Sequence, residues 1–202
     1  EAAVAACTLA TPYYALIEIA QIKPGETVLV TGAGGGLGMQ TIQLVRLLGA
    51  RAIAWTRSES KREAIEKMGA DSIICGMDGD TPVWQQLLDL TGGKGVDMVM
   101  DNVGSAAFYD GFRGLALLGR YVMLGELLGK EIRVNPTFVF TKRAKILGSS
   151  SHKREQVYQV LEYMRQGAIR PFIGGKYPLA EIQRVHGLLE SGEITGRAVM
   201  VP

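Results

Sequence analysis

The chain is poor in the residues that carry most self-contained chemistry. It has 2 cysteines and 2 histidines among 202 residues. Cys7 and Cys75 lie far apart, which excludes a disulfide scaffold and fits a reducing compartment. No two of Cys7, Cys75, His152 and His186 have a metal-ligand spacing, and neither a Ser-His-Asp arrangement nor a pair of catalytic carboxylates stands out. Charge of one sign is lacking as well. The balance of 22 basic and 20 acidic residues gives a net +2, so a nucleic-acid-binding stripe and an acidic tail are both excluded. The start, Glu1-Ala2-Ala3, has no basic opening of a signal peptide. The uncharged run from Thr27 to Val45 is interrupted by five glycines and by Gln40, Thr41 and Gln43, which argues against a membrane span. A cytoplasmic globular protein without nucleic-acid or membrane partners is expected. Its 47% hydrophobic and 21% charged residues are ordinary for that class.

Glycine is what the chain has in the most telling place. Val28-Leu29-Val30-Thr31-Gly32-Ala33-Gly34-Gly35-Gly36-Leu37-Gly38 is a short β-branched run, a glycine-rich turn and the opening of a helix. Glycines let a backbone approach a ligand closely, and the unpaired N–H groups of a helix start point at phosphates. Gly34, Gly35, Gly36 and Leu37 are therefore the candidate pyrophosphate contacts. The usual G-x-G-x-x-G is modified here to Ala33-x-Gly35-x-x-Gly38. The helix shows Leu37, Thr41, Leu44 and Leu48 on one face and stops at Gly49. The competing reading is a tight structural turn between a strand and a helix.

Residues 4–22 read as a helix with Leu9, Tyr13, Leu16, Ile17 and Ala20 on one apolar face. Beyond the glycine turn, strands are expected at 51–56, 72–75, 96–100, 120–124 and 144–147. Helices are expected at about 59–68, 82–90, 106–118 and 153–166, with a loop over 76–81. This alternation predicts a doubly wound α/β fold, a parallel Rossmann sheet with helices on both faces. Residues 167–202 break the pattern: extended over 169–177, helical over 179–189, a strand over 197–201. Two such strands do not make a stable sheet alone. The end of the second strand carries Thr56-Arg57 where an NAD enzyme places an acid for the ribose 2′-OH. Arg57 offers a donor fork suited to a 2′-phosphate, with Lys61 and Arg62 one turn on. A solvated helix start would explain the same charges. A methyltransferase-type fold also uses a glycine-rich first turn, but it would want an acid at that same place.

Several segments together resemble the medium-chain dehydrogenase/reductase superfamily, the zinc alcohol dehydrogenases and quinone reductases. They are Ala-Ala-Cys-Thr-Leu-Ala-Thr-Pro-Tyr-Tyr-Ala-Leu at 5–16, Lys23-Pro24-Gly25-Glu26 with Thr27-Val28-Leu29-Val30, and Gly32-x-x-Gly35-x-x-Gly38. Further on come Leu48-Gly49-Ala50, Ser60-Lys61, Met68-Gly69-Ala70-Asp71, the 97–104 segment, Gly119-Arg120-Tyr121-Val122 and Gly196-Arg197-Ala198-Val199-Met200. The resemblance covers essentially the whole chain. It implies an NADP-binding Rossmann domain at 1–166. It also implies a segment at 167–202 that belongs partly to an N-terminal GroES-like substrate domain outside this chain, so a fragment of a longer protein is expected.

The resemblance also implies residue roles. Thr11, in a Thr-x-Tyr segment, would contact the nicotinamide ring or its amide. Asn102, Val103, Leu124, Gly125 and Ser149 would frame the nicotinamide from strand ends. Cys7 stands seventeen residues before Pro24, where the zinc alcohol dehydrogenases have a catalytic zinc ligand. Zinc is thus an expected second cofactor of the full-length protein, although a small buried cysteine fits Cys7 equally. His152 reads as a solvent-facing loop residue and His186 as structural. The expected function is NADP(H)-dependent hydride transfer to or from an alcohol or carbonyl small-molecule substrate. Two alternatives stand: a zinc-free quinone or enoyl reductase, as in a module of a larger synthase, or a piece that binds nucleotide without catalysis. A homodimer through edge strands, at 120–124 or 144–147, is the expected assembly.

Overall fold

The structure, a computed structural model, describes residues 2–76 and 81–202. The loop expected over 76–81 thus lies largely outside the described residues. The chain opens with a helical run that alternates α turns, α1 (Ala2–Val4) and α2 (Thr11–Tyr14), with π turns at Ala5–Ala10 and Ala15–Ile19. Six strands follow: β1 (Thr27–Val30), β2 (Arg51–Thr56), β3 (Ser72–Cys75), β4 (Val96–Asp101), β5 (Leu115–Met123) and β6 (Lys145–Gly148). They form one sheet in the order β3-β2-β1-β4-β5-β6, and every pair is parallel. The strand order reverses between β1 and β4. Helices α3 (Gly36–Leu47), α4 (Arg62–Lys67), α5 (Val83–Leu90) and α6 (Ser105–Arg113) make the crossovers. The expected doubly wound Rossmann sheet is what forms.

Alternation along the strands builds two cores. On β1, Val28 and Val30 face one layer with Leu9, Leu16, Met39 and Ile42 of the opening helix and α3. Leu29 faces the other layer with Trp55, Leu87, Phe108, Phe112 and Tyr121. Burial on both faces explains why the central strands β1, β2 and β4 are predominantly apolar.

Three sequence expectations are corrected. The helix expected to reach Leu118 stops at Arg113, and Leu115-Ala116-Leu117-Leu118 opens β5. An apolar run of that length fits helix or strand equally. Pairing decides it: the Val96 N–H donates to the Gly114 carbonyl at 2.9 Å, and Leu115 stands beside Val96 in the β4–β5 register. A further helix, α7 (Pro136–Lys142), was not expected. Asn135 caps it by accepting from the Thr137 N–H at 3.0 Å, and Pro136 occupies its first position. Finally, β5 lies between β4 and β6, so of the two strands considered for pairing across a dimer only β6 is an edge.

After α8 (Arg154–Arg165) the tail forms β7 (Ile173–Pro178), α9 (Ile182–Glu190) and β8 (Arg197–Val201). β7 and β8 pair with each other, in parallel, as a two-stranded sheet separate from the large one. The tail also folds back onto the large sheet's helices. Gln43 on α3 exchanges two bonds with the Arg170 backbone, and Gln40 donates to the Phe172 carbonyl.

Candidate functional site

The β1–α3 turn sits at the carboxyl end of the sheet, beside the point where strand order reverses. In open parallel sheets ligands bind there. Gly32 takes the left-handed conformation, φ +58°, so the turn's special backbone position falls one residue before Ala33. That is why Ala33 is tolerated: it is fully buried, and its N–H donates to the Trp55 carbonyl at 3.0 Å. Gly38 allows helix to meet turn, since a Cβ there would run into the Gly32 carbonyl and the Ala33 Cα. Gly35 caps α3 in an extended conformation, and no side chain occupies the cap. The N–H groups of Gly36 and Leu37 in the first turn therefore lack intrahelical partners by helix geometry, the arrangement that receives phosphate.

Next to the turn, Thr56 ends β2 almost fully buried, and its hydroxyl accepts from the Ser58 N–H at 3.3 Å. Arg57 is exposed beside it. The other two cations expected there are engaged elsewhere. Arg62 pairs with Glu59 and donates to Cys75 Sγ at 3.5 Å. Lys61 is buried, and its ammonium donates to the Ile194 carbonyl at 2.8 Å. Of the expected 2′-phosphate contacts, Arg57 alone has no side-chain partner among the described residues.

The far half of the crevice is framed by the ends of β4, β5 and β6. Thr31 and Asp101 tie β1 to β4: Thr31 Oγ1 donates to the Asp101 carboxylate at 2.6 Å, and Asn102 Nδ2 donates to the Thr31 carbonyl at 2.9 Å. Asp101 also accepts from Tyr121 OH at 2.7 Å and from the Val103 and Gly104 N–H groups. Burial and the Asp101 carboxylate push the Tyr121 hydroxyl far up in pKa, so it stays a donor. A cavity of about 440 Å³ opens beside these strand ends, lined by Gly104, Leu124, Gly125, Glu126 and Ser149 among others. Two buried polar atoms border this region without a partner, Asn102 Oδ1 and Ser149 Oγ. Gly125 is close-packed on Asn102, whose carbonyl would lie 3.1 Å from a Cβ there. The Glu126 carboxylate gathers the N–H groups of Ser105, Leu128 and Gly129, and those bonds hold its pKa below the ordinary carboxylate value.

The opening helix reaches the same end of the sheet. Thr11 Oγ1 lies 3.0 Å from His152 Nδ1, so a residue read as solvent-facing is instead paired with the expected nicotinamide contact. His186 is exposed on α9. Cys7 is exposed rather than buried. Among the described residues no three His, Cys, Asp or Glu side chains stand together to hold a metal. A catalytic zinc takes three protein ligands, so the residues present do not make a zinc site. The sequence marks Asp101 and Glu126 by their strand-end positions and Gly196 by the resemblance of its segment, but not the carboxylate networks of the first two or the contact of Gly196 with the glycine-rich turn.

Comparison with known proteins bears on this geometry. Residues 36–166 match the family described as zinc-binding dehydrogenase. An NAD-dependent alcohol dehydrogenase of Sulfurisphaera tokodaii is 31% identical over 204 residues, 100% of this chain and 58% of that protein. The acryloyl-coenzyme A reductase of the same organism is 29% identical over 197 residues, 97% of this chain and 57% of that protein. The solved 2-octenoyl-CoA carboxylase reductase CinF, in complex with NADP and 2-octenoyl-CoA, superposes with a TM-score of 0.90 at 27% identity, covering 100% of this chain and 49% of that one. The chain therefore spans about half the length of these proteins.

Proposed function

We propose that this chain, which belongs to the zinc-binding dehydrogenase family, binds NADP(H) and orients it for hydride transfer. The observation that carries the reading is the β1–α3 turn at the sheet's switch point, with Arg57 open beside a strand end that has no acid. The residues fit the cofactor. Gly34, Gly35, Gly36 and Leu37 present backbone to the pyrophosphate, and a carboxylate at Thr56 that would repel a 2′-phosphate is absent. The unpartnered Asn102 Oδ1 and Ser149 Oγ offer polar groups at the far end, with Leu124 and Gly125 as walls and Val103 next to Asn102 at the end of β4. Thr11, held by His152, offers a hydroxyl there. The bound cofactor supplies the hydride chemistry; the chain supplies binding and orientation.

For the substrate, we assign an alcohol or carbonyl compound, in line with the alcohol dehydrogenase relative. A second reading, reduction of a C=C bond conjugated to a thioester, is favoured by the acryloyl-coenzyme A reductase and by CinF. The division into a cofactor domain, 1–166, and a returning segment, 167–202, belongs to the same proposal. Its support is the separate two-stranded sheet of β7 and β8. A homodimer through β6, one of the sheet's two edge strands, completes it.

Calorimetric titration with NADPH and NADH, repeated on Arg57→Ala, tests the cofactor assignment. The expected result is a preference for NADPH that falls by about tenfold or more in the variant, while NADH binding holds; a charge-assisted hydrogen bond is worth about 1.5–3 kcal/mol. Equal affinities in the unmutated chain overturn NADP. Binding of neither overturns the dinucleotide reading.

A further inference from the structure

The bond between Thr11 and His152 is unusual for a threonine in a helix. A helical threonine often turns its hydroxyl back to the carbonyl four residues earlier. Thr8 does so with Val4 at 2.6 Å, Thr41 with Leu37 at 2.9 Å and Thr141 with Thr137 at 2.6 Å. Thr11 Oγ1 instead meets His152 Nδ1 at 3.0 Å, 141 residues along the chain. A π turn, Ala5–Ala10, ends immediately before it, a distortion frequent where a helix carries function. The imidazole is delivered by a pinned segment between β6 and α8. Ser149 N–H donates to the Met123 carbonyl at 3.0 Å, and Lys153 N–H donates to Gln156 Oε1 at 3.1 Å. The two helices are docked around the pair as well. The Tyr13 and Tyr163 rings meet edge to face with centroids 5.7 Å apart, and the Lys153 ammonium lies 5.9 Å from the Tyr14 ring. Thr11 and His152 are thus two half-buried side chains, on separately anchored elements, that share one hydrogen bond.

A free threonine hydroxyl rotates, and it can give or take a hydrogen bond. The carboxamide of nicotinamide has an accepting oxygen and a donating N–H group, so an undirected hydroxyl serves either end. Neutral imidazole with its proton on Nε2 leaves Nδ1 bare to accept. We propose that His152 is a positioning residue: its bare Nδ1 takes the Thr11 proton, which turns the hydroxyl's lone pairs toward the crevice to receive the carboxamide N–H of the cofactor. The inference rests on the dinucleotide reading and adds to it the side chain that fixes the sense of the Thr11 contact. His152 acts on the cofactor through Thr11 alone. Its contribution therefore vanishes when the Thr11 hydroxyl is removed, and equally when the ligand has no nicotinamide.

The experiment is titration of the chain and its variants with NADPH and with 2′-phospho-ADP-ribose, the same nucleotide without nicotinamide. His152→Ala is expected to weaken NADPH about fivefold, the scale of one neutral hydrogen bond, and to leave 2′-phospho-ADP-ribose unchanged. His152→Asn is expected to restore NADPH binding, because an amide oxygen on a short stem replaces Nδ1 as the acceptor. In a Thr11→Val background, His152→Ala is expected to cost nothing further. Equal weakening of both nucleotides in His152→Ala would leave His152 a structural role only and overturn the proposal. So would His152→Asn behaving like His152→Ala, or a full further loss in the Thr11→Val background. Equal affinity of the unmutated chain for the two nucleotides overturns it too, while the glycine-turn and Arg57 contacts of the dinucleotide reading stand. Binding of neither nucleotide overturns the dinucleotide reading itself, and the role of His152 with it.

Discussion

Asp101 is a fully buried carboxylate that accepts from Thr31, Tyr121, Val103 and Gly104. It fixes the end of β4 to β1 on one side and to β5 on the other, and so sets the spacing of the strand ends that frame the crevice. Asp101→Ala would orphan two hydroxyls and two backbone N–H groups in a dry site. Each unsatisfied buried donor costs about 1–3 kcal/mol, and relaxation recovers part of the sum, so a loss of about 3 kcal/mol in urea unfolding is expected. A loss within 0.5 kcal/mol, the scale of ordinary surface changes, would show that the network is not holding the strand ends. The two cysteines give a second check. Burial, and next a hydrogen bond to Glu59, push the Cys75 thiol up to about 11, whereas Cys7 is exposed. At pH 8 a thiol reagent should modify one cysteine quickly, and Cys7→Ser should abolish that fast phase. At this scale the sequence was legible where close backbone approach forces a residue type, as at Gly38. It was illegible where a side chain's partner lies far along the chain. Nothing local to Lys61 marks Ile194 as its acceptor, and nothing local to Thr11 marks His152.

Elements were readable where periodicity and caps agree and ambiguous where they do not. Strands β1 and β2 emerge from their β-branched runs, and α3 from its apolar face and the stop at Gly49. The α6–β5 boundary did not emerge, because four apolar residues suit either state and pairing of Leu115 with Val96 on β4 is a tertiary fact. Helix α7 was hidden for a similar reason. None of Pro136–Lys142 is fully buried, and its apolar residues, Phe138, Val139 and Phe140, run consecutively rather than at helical spacing; the helix is held by Val139 against the core, by its Asn135 cap and by Lys142, whose ammonium donates to the Arg113 carbonyl at 2.9 Å. The loop that leads from β5 towards α7 has an anchor of its own, Glu126. The backbone N–H of Ser105, first, then that of Leu128, lowers the Glu126 pKa. A carboxylate whose folded pKa is lowered stabilises fully above its unfolded value, about 4.3, and the contribution is lost as pH falls through the folded value. Glu126→Gln should therefore lower the melting temperature at pH 7, and the gap from the unmutated chain should close on acidification. A gap that is the same at pH 7 and at pH 3 would mean that the charge on Glu126 is not what organises the loop.

On the scale of the whole molecule, the doubly wound sheet was legible because alternation of strand and helix leaves few topologies once crossovers are right-handed. The tail was legible only as a departure from that alternation. Its course depends on a hydrogen-bonded clasp to a turn more than 150 residues earlier, which no local pattern encodes. The same global view locates the open edges of the sheet. An edge strand presents unpaired backbone groups that template pairing with another chain unless something blunts it. β6 is such an edge, and Ile146 on it is 38% exposed. Leu117 and Leu118 of β5 and Phe138 and Phe140 of α7 are also exposed, on the strand beside that edge and on the connection leading to it. A two-fold pairing of β6 with its copy would cover both the backbone groups and part of this apolar surface. Charge on an edge strand is a standard block to such pairing. Sedimentation should then show a dimer for the unmutated chain and a monomer for Ile146→Lys, with NADPH affinity preserved in both because Ile146 is on no wall of the crevice. A monomer at high concentration for the unmutated chain would leave the β6 edge to another partner. A dimer that survives Ile146→Lys would move the interface away from β6.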